Sequence, residues 1–172
     1  MALFAVNTGC RDAEICNLQW EWMLDVPQLK TAVFIIPGQQ VKNCDDRLVV
    51  LNTIALNVVM RQQGNHPTHV FTFKSEPITR MLNSAWLRAR KSVELPQVRV
   101  HDLKHTFGRR LRSAGVSFED RQDLLGHRSG RITTHYSAAE LSHLLEAANK
   151  VCLNEGDEQQ PEIVVLRRLS TS

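Results

Sequence analysis

Two short apolar runs in the first third of the chain are the feature that most restricts its fold. They read AVFII at 32–36 and RLVVL at 47–51, and each has the composition and length of a buried β-strand. Pro37–Gly38 closes the first run, and a polar turn carrying Lys42 separates the two. The pattern predicts a β-hairpin, with an earlier strand near 23–26. Because the later chain adds only a short extended piece at 69–73, the sheet must be small.

Helical periodicity accounts for most of the remaining sequence. Apolar residues recur at helical spacing in the segments 10–21, 53–63, 78–92, 102–114 and 117–127, and in a last segment that begins near Ala138. Gly115 is suited to end the fourth segment, and Ser117 is suited to cap the next one. The sequence therefore predicts a fold that is mainly α with a small antiparallel β-sheet, which is the α+β class.

Length and composition limit the architecture and the class of protein. A chain of 172 residues is one domain with or without a tail, and we expect a domain at 1–152 followed by a linker and tail at 153–172. The apolar runs are too short to span a bilayer, and the apolar start lacks the basic residues of a signal peptide. The four cysteines form no C-x-x-C pair, which indicates reduced, buried thiols in a cytoplasmic protein. No metal site is predicted, because His66 and His69 lack ligand partners at matching spacing.

The net charge of +3 is modest, but the basic residues are concentrated in the middle of the chain. Between Arg80 and Arg131 there are twelve arginine and lysine residues against five acidic ones, an excess of seven. A positive face of this kind suits a polyanion such as DNA. The alternative, an ordinary solvated helix surface, stays open on charge alone.

A small set of polar residues could carry chemistry: Arg11, Lys42, His101, Lys104, His127 and Tyr136. They are cations, proton carriers and one hydroxyl nucleophile, and Tyr136 is the only tyrosine in the chain. Cleavage of a phosphodiester without a metal needs cationic donors for the charged oxygens, an acid for the leaving alkoxide and an attacking nucleophile. A covalent phosphotyrosine would keep the bond energy and allow resealing without ATP. An amphipathic core tyrosine is the alternative.

Four sequence features follow one another in order. They are TGCRDAEICNLQW at 8–20, HDLKHTF at 101–107, LLGH at 124–127 and Tyr136, nine residues after His127. Together they resemble the tyrosine site-specific recombinases of the phage integrase family. The first three resemble that family's first arginine motif, its His-x-x-Arg box and its Leu-Gly-His box, and Tyr136 stands where the family has its nucleophile. The intervening hairpin with its lysine also matches, and the resemblance covers about residues 1–150.

The resemblance implies a role for each candidate. Arg11 would hold a non-bridging oxygen of the scissile phosphate through its guanidinium, with Glu14 as a scaffold carboxylate nearby. Lys42 would protonate the 5′ leaving oxygen, and Lys104 would supply positive charge to the phosphate. His101 would be an acid–base partner, and His127 would donate a hydrogen bond to the phosphate. Tyr136 would be the nucleophile that forms a 3′-phosphotyrosine. The resemblance implies neither a metal nor a nucleotide cofactor.

Two departures from the family pattern affect the expected activity. Lys104 stands where the family has its second arginine, and lysine keeps the charge but loses the planar fork. Arg11 lies only ten residues after Met1, so we expect the preceding DNA-binding domain, and the first helix of the catalytic domain, to be absent. His105, the second histidine of its box, is expected to pack rather than react.

The resemblance implies double-stranded DNA as the partner, and the integration or excision of a mobile element as the outcome. The protein would be a monomer in solution and a tetramer on DNA, with EIVVLRRL at 162–169 docking on a neighbouring protomer. A disordered tail is the alternative for that segment. Type IB topoisomerases share the chemistry and are the nearest other enzymes. A DNA-binding remnant that is catalytically weak or inactive also stays open because of Lys104.

Overall fold

The computed structural model describes residues 1–42, 44–126 and 137–152. Within these residues the helices are α1 (Ala2–Thr8), α2 (Asp12–Cys16), α3 (Thr53–Met60), α4 (Ser84–Ser92), α5 (Val100–Ser113), α6 (Phe118–Leu125) and α7 (Ala138–Asn149). The strands are β1 (Met23–Val26), β2 (Thr31–Ile36), β3 (Arg47–Val50), β4 (Thr72–Phe73) and β5 (Glu76–Pro77). The predicted class, mainly α with a small antiparallel sheet, is confirmed.

An antiparallel sheet of β1, β2 and β3 lies at the centre of the fold, with β2 in the middle. Phe34 is paired with Met23 of β1 and with Val49 of β3, which fixes the register of all three strands. Because alternate residues of a strand face opposite sides, Phe34 joins one apolar core and Val33 joins another. The predicted hairpin and its preceding strand are confirmed. The two-residue strands β4 and β5 form a separate antiparallel pair. β4 lies within the extended piece predicted at 69–73, whereas the sequence patterns do not predict β5 or its pairing with β4.

Two apolar cores hold the helices to this sheet. The first contains Phe4 of α1 and Ile15 of α2, both fully buried. The second joins Phe107 and Leu111 of α5 to Leu124 of α6 and to the buried face of α7. Full burial of one such side chain contributes about 1.5–3 kcal/mol relative to exposure. Since α5 packs against both α1 and α6, these cores fix α5 beside the loop that precedes α2.

The predicted helix at 10–21 is helical only in α2, and the reason is a long-range backbone contact. Trp20 N donates to Thr68 O at 2.9 Å, and Val70 N donates to Leu18 O at 2.9 Å. These bonds replace the helical ones that the periodicity predicts, since each backbone amide donates to only one main partner. The apolar spacing in this segment therefore reflects packing in the first core rather than one long helix.

The predicted helix at 78–92 is also shorter, and it begins at α4. Asn83 caps α4 by accepting from Trp86 N at 3.1 Å. Met81 N donates to Asp12 Oδ1 at 2.7 Å, so the preceding turn is tied to α2 instead of extending α4. The cap of α6 at Ser117 and the start of α7 at Ala138 agree with the prediction.

Some predictions about composition can be compared with the described residues. Cys10 and Cys16 are buried as expected, but Cys44 is exposed, so the prediction that all four thiols are buried is wrong. None of the helices described is both long and apolar enough to cross a bilayer. The tail at 153–172 lies outside the described residues.

The last described helix, α7, is docked on the same chain by hydrogen bonds to its backbone. Asn52 Nδ2 donates to Ala148 O at 3.3 Å and also to Asn7 Oδ1 at 3.2 Å. Arg110 Nη2 donates to Val151 O at 2.6 Å. Because α7 begins two positions after Tyr136 in the sequence, these contacts anchor the chain just beyond the candidate nucleophile.

Asn52→Ala is expected to lower the free energy of unfolding by about 2–4 kcal/mol, because it removes the cap of α3 and buried hydrogen bonds to Asn7 and Ala148. Urea denaturation followed by circular dichroism measures the change. Asn83→Ala is the matched control, since it removes an exposed cap alone and should cost about 1 kcal/mol. Equal losses of unfolding free energy in the two variants would show that the contacts of Asn52 to α1 and α7 do not contribute to stability.

Candidate functional site

Distant parts of the chain meet at one open groove of about 560 Å³. Arg11 lies just before α2, Lys42 lies in the turn between β2 and β3, and His101 and Lys104 lie on α5. Four of the predicted site residues therefore line a single groove, although they come from three separate regions of the sequence.

The same groove continues along α5 and α6, where Arg109, Arg112 and Arg121 add positive charge to its lining. Arg109 and Arg112 are exposed. The other two predicted site residues, His127 and Tyr136, lie outside the described residues.

Arg11 is positioned because the loop before it packs closely against α5 and α6. Gly9 has a φ of 62°, and a Cβ there would lie 2.8 Å from Leu125 and 2.9 Å from Phe107, so the turn requires glycine. Arg11 N donates to Glu14 Oε2 at 2.7 Å, and Arg11 Nη1 donates to Glu14 Oε1 at 2.7 Å. These bonds begin α2 and orient the guanidinium, whose side chain stays 24% exposed at the groove.

Glu14 is a buried carboxylate between two arginines. Its side chain is 1% exposed, and Oε2 lies 2.9 Å from Arg47 Nη1. Burial alone would raise the pKa of this carboxyl, but the charge of Arg47 and the hydrogen bonds and charge of Arg11 outweigh burial and lower the pKa. Glu14 is therefore ionised at neutral pH and acts as a scaffold for the two guanidinium groups rather than as a proton donor.

Lys104 is buried, with only 6% of its surface exposed. Its Nζ donates a hydrogen bond to the backbone oxygen of Leu125 at the end of α6. Burial lowers the pKa of Lys104 to about 7, and the charges of Arg47 and Arg11 add to the effect. The amine is consequently only partly protonated at neutral pH, unlike an arginine at this position.

His101 and His105 lie one helical turn apart on α5, with ring centroids 4.5 Å apart in an edge-to-face arrangement. Both residues are exposed and line the groove, and the ring contact of His105 is with His101 rather than with a buried core. Desolvation, together with the neighbouring charges of His105 and Lys104, lowers the pKa of His101. The imidazole of His101 is therefore mostly neutral at pH 7 and can accept a proton.

Lys42 reaches the groove from a compact turn. Val41 N donates to Gly38 O at 3.0 Å, and Gly38 N donates to Asp46 Oδ1 at 2.8 Å. A Cβ at Gly38 would lie 2.5 Å from Cys44 O, so the turn closes only around a residue without a side chain. Lys42 itself is exposed, and it lines the groove together with His101 and Lys104 of α5.

Comparison with known proteins bears on these motifs directly. The model of the phage integrase family matches residues 1–143. The chain belongs to this family. Its sequence is 31% identical over 161 residues to the integrase of Salmonella phage P22, a match that covers 86% of this chain and 41% of that protein. It is 28% identical over 161 residues to the tyrosine recombinase XerA of Pyrococcus horikoshii, a match that covers 89% of this chain and 54% of that protein.

The resemblance read from the four motifs is thereby confirmed at the level of the family. A second archaeal relative, the tyrosine recombinase XerA of Thermococcus onnurineus, is 26% identical over 161 residues and is covered to 55% of its length. The chain thus spans about half the length of the phage integrase relatives that it matches.

One buried residue beside the groove of this phage integrase domain is not identified by the sequence patterns. Arg47, the first residue of β3, is 3% exposed, and its Nη2 donates to Gly9 O at 3.2 Å and to Thr8 O at 3.4 Å. The only local signal is a charged residue at the start of the apolar run RLVVL, and arginine at a strand end is usually exposed. Its burial becomes understandable only with Glu14 beside it.

The described part of the groove combines cationic groups with a mostly neutral imidazole. Arg11 and Lys42 can bind the oxygens of an anion, and His101 can take up or return a proton. No cluster of three or more histidine, cysteine or acidic side chains suited to a metal ion occurs among the residues that the structure describes. The arrangement is suited to binding and polarising a phosphate group.

Proposed function

We propose that this chain is the catalytic domain of a site-specific DNA recombinase that cuts and rejoins strands through Tyr136. The observation that supports the proposal best is the convergence of Arg11, Lys42, His101 and Lys104 on one groove. Membership of the phage integrase family adds independent support. The biological outcome is the integration or excision of a mobile element, carried out in the cytoplasm where the DNA is accessible.

In this proposal the Tyr136 oxygen attacks the scissile phosphorus, and the bond from phosphorus to the 5′ oxygen breaks. The strand is then held as a 3′-phosphotyrosine, and the phenolic proton passes to a base, for which the neutral His101 is suited. Lys42 protonates the departing 5′ oxygen. Arg11 and His127 hold the non-bridging oxygens, whose negative charge grows in the transition state. Attack by a 5′ hydroxyl on the phosphotyrosine reverses the steps and releases Tyr136.

The duplex lies along the basic surface in this proposal. Arg109, Arg112 and Arg121 extend the groove beyond the candidate reactive residues, and they are positioned for backbone phosphates. Arg88 and Lys91 on α4 add exposed charge to the same part of the sequence. Four protomers assemble on two duplexes, the protein is a monomer without DNA, and the tail at 162–169 docks on a neighbouring protomer.

A second function, DNA binding without cleavage, is favoured by one observation. Lys104 is buried and bonded to Leu125 O, and it lacks the planar fork of the arginine that the family pattern places there. Loss of one preorganised donor to a transition state typically lowers a rate by about 10²–10³. A chain of this kind could keep its DNA surface and yet cleave too slowly to matter.

A pool of nicked suicide duplexes with random sequence around the nick separates the two functions. Cleavage beside the nick releases a short fragment, so the covalent protein–DNA adduct accumulates and is captured under denaturing conditions. Sequencing of the captured DNA then gives the target site. Adduct formation supports the recombinase. Retained binding of the same pool in a mobility shift, with no adduct after prolonged incubation, would overturn it in favour of the DNA-binding remnant.

Lys104 gives the proposed reaction a pH dependence of defined sign. The rate of adduct formation at low DNA concentration should fall as the pH rises above about 7, because unliganded Lys104 loses its proton with a pKa of about 7. Arginine at position 104 stays charged throughout this range. The rate of adduct formation by Lys104→Arg should therefore stay constant to higher pH and exceed the wild-type rate at pH 8.5. All other titrating groups are shared by the two proteins. The same fall in both would show that Lys104 does not cause it.

A further inference from the structure

Arg47 contacts the supports of two halves of the groove, which are the loop that carries Arg11 before α2 and the Leu125–Gly126 turn that ends α6. On one side its Nη1 lies 2.9 Å from Glu14 Oε2, and Glu14 in turn holds both the backbone and the guanidinium of Arg11. Its Nη2 donates to Gly9 O at 3.2 Å, in the loop that carries Arg11. Arg47 therefore supports Arg11 through a carboxylate and through the preceding backbone.

On its other side Arg47 supports the turn that ends α6. Gly126 has a φ of 59°, and a Cβ there would lie 2.9 Å from Cζ, Nε and Nη1 of Arg47. The face of the guanidinium thus packs directly against the backbone of Gly126, with no room for a side chain. Gly126 immediately precedes His127 in the sequence, and Lys104 bonds to the neighbouring Leu125 O.

A buried guanidinium is costly unless its charge and its donors are matched, and Arg47 is only partly matched. Among the described residues Nε has no hydrogen-bond partner, and Nη1 contacts Glu14 without the alignment of a hydrogen bond. The charge of Arg47 is balanced by Glu14, so its removal would leave a buried carboxylate with Arg11 as its remaining ion-pair partner. The other contacts of Arg47 lead to backbone groups beside the groove, at Gly9 and at Gly126.

We propose that Arg47 is a positioning residue, which holds Arg11 through Glu14 and holds the Leu125–Gly126 turn through packing, so that both halves of the groove meet the same phosphate. The inference rests on the proposed function. Arg47 is almost fully buried, and its contacts are to Glu14, Gly126 and backbone oxygens rather than to the groove. Its removal should therefore slow the covalent step while leaving the half-saturating DNA concentration nearly unchanged.

The charge of Arg47 also acts on Lys104, which provides a readout that a purely structural role would not change. The charged and titratable groups that interact with the Lys104 amine are Arg47 on β3, Arg11 and Glu14 at α2, His101 on α5 and the thiol of Cys10, whose pKa is raised by burial. Of these charges, Arg47 lowers the pKa of Lys104 most, after burial itself. Replacing Arg47 by an uncharged residue should therefore raise the pKa of Lys104 and move the pH profile of adduct formation to higher pH.

The first experiment compares Arg47→Met and Arg47→Lys with the wild type on a duplex selected from the suicide pool. Arg47→Met is expected to lower the maximal rate of adduct formation by about 10²-fold, as small displacements of positioned groups do, with Arg47→Lys recovering part of the loss. Arg61→Met, at an exposed arginine that is not among the residues lining the groove, controls for loss of charge. A maximal rate that is unchanged in Arg47→Met, or a loss confined to DNA affinity, would overturn the proposal.

A glycine pair tests the second contact without touching the ion pair, in case Arg47→Met folds poorly. Gly126→Ala and Gly115→Ala introduce the same left-handed strain, with φ of 59° and 72°, but a Cβ at Gly115 meets nothing within 4 Å. Both variants should lose stability through this strain, and Gly126→Ala should lose more because its Cβ meets the buried Arg47 side chain. Only Gly126→Ala should lose about 10²-fold in the maximal rate. Equal rates in the two variants would overturn the proposal.

A titration separates failure of this inference from failure of the proposed function. Lysine labelled with ¹³C at Cε is followed by NMR from pH 5 to pH 11 in protein without DNA, with Lys104→Arg identifying the signal. A signal that titrates near pH 7 in the wild type and at clearly higher pH in Arg47→Met supports the coupling, even if no protein forms an adduct. An unchanged titration in Arg47→Met would overturn it, whatever the activity of the wild type.

Discussion

Replacing Tyr136 by phenylalanine is expected to abolish the covalent protein–DNA adduct completely. The substitution removes only the hydroxyl group, so the proposed nucleophile is lost while the size and ring of the side chain are kept. The chain contains no other tyrosine, so a phosphotyrosine detected by mass spectrometry after nuclease digestion can only be Tyr136. The measurement is the fraction of a labelled suicide duplex that migrates with protein on a denaturing gel.

The control for this prediction is DNA binding by the same variant. Tyr136→Phe should bind the duplex as tightly as the wild type, with the same dependence on salt, because the phosphate contacts remain. An adduct that persists in Tyr136→Phe would show that another side chain attacks the phosphorus, and the central role proposed for Tyr136 would be wrong.

Arg11→Ala is expected to lower the rate of adduct formation by at least about 10²–10³, the second largest effect. Its guanidinium is the one that Glu14 orients at the groove, and a fork held in place before the reaction meets the developing charge without reorganisation. Arg11→Lys should recover only part of this loss, since an ammonium cannot donate two parallel hydrogen bonds. Single-turnover kinetics on the suicide duplex at saturating DNA measure the covalent step.

Arg99→Ala is a matched control for Arg11→Ala. Arg99 stands at the same position before α5 and makes the same kind of pair, with Nη2 3.0 Å from Asp102 Oδ1, but its side chain is 75% exposed. The loss of that pair costs little because the partners are solvated. Comparable losses of rate in the two variants would indicate that a helix-start ion pair, and not a phosphate contact, explains the effect at Arg11.

The family, the hairpin and most helices could be predicted from the sequence because their signals are local. Strand runs closed by Pro37–Gly38, the cap at Ser117 and the helical period of α5 are each set by neighbouring residues. The helix predicted at 10–21 shows the limit of such signals. Hydrogen bonds from Trp20 and Val70 to partners about fifty residues away along the chain decide where α2 ends, and no local pattern reports them.

For the candidate site as well, some features could be predicted from the sequence and others could not. The sequence by itself predicted a set of residues that could bind and cleave a phosphodiester, because their chemical types and their spacing resemble the motifs of the family. Only the tertiary structure decided that Arg47 is buried against Glu14 and Gly126, that His105 faces the groove, and that Lys104 has a pKa of about 7. Burial and the distances between charges depend on residues that are far apart in sequence, and they set the charge and position of each group.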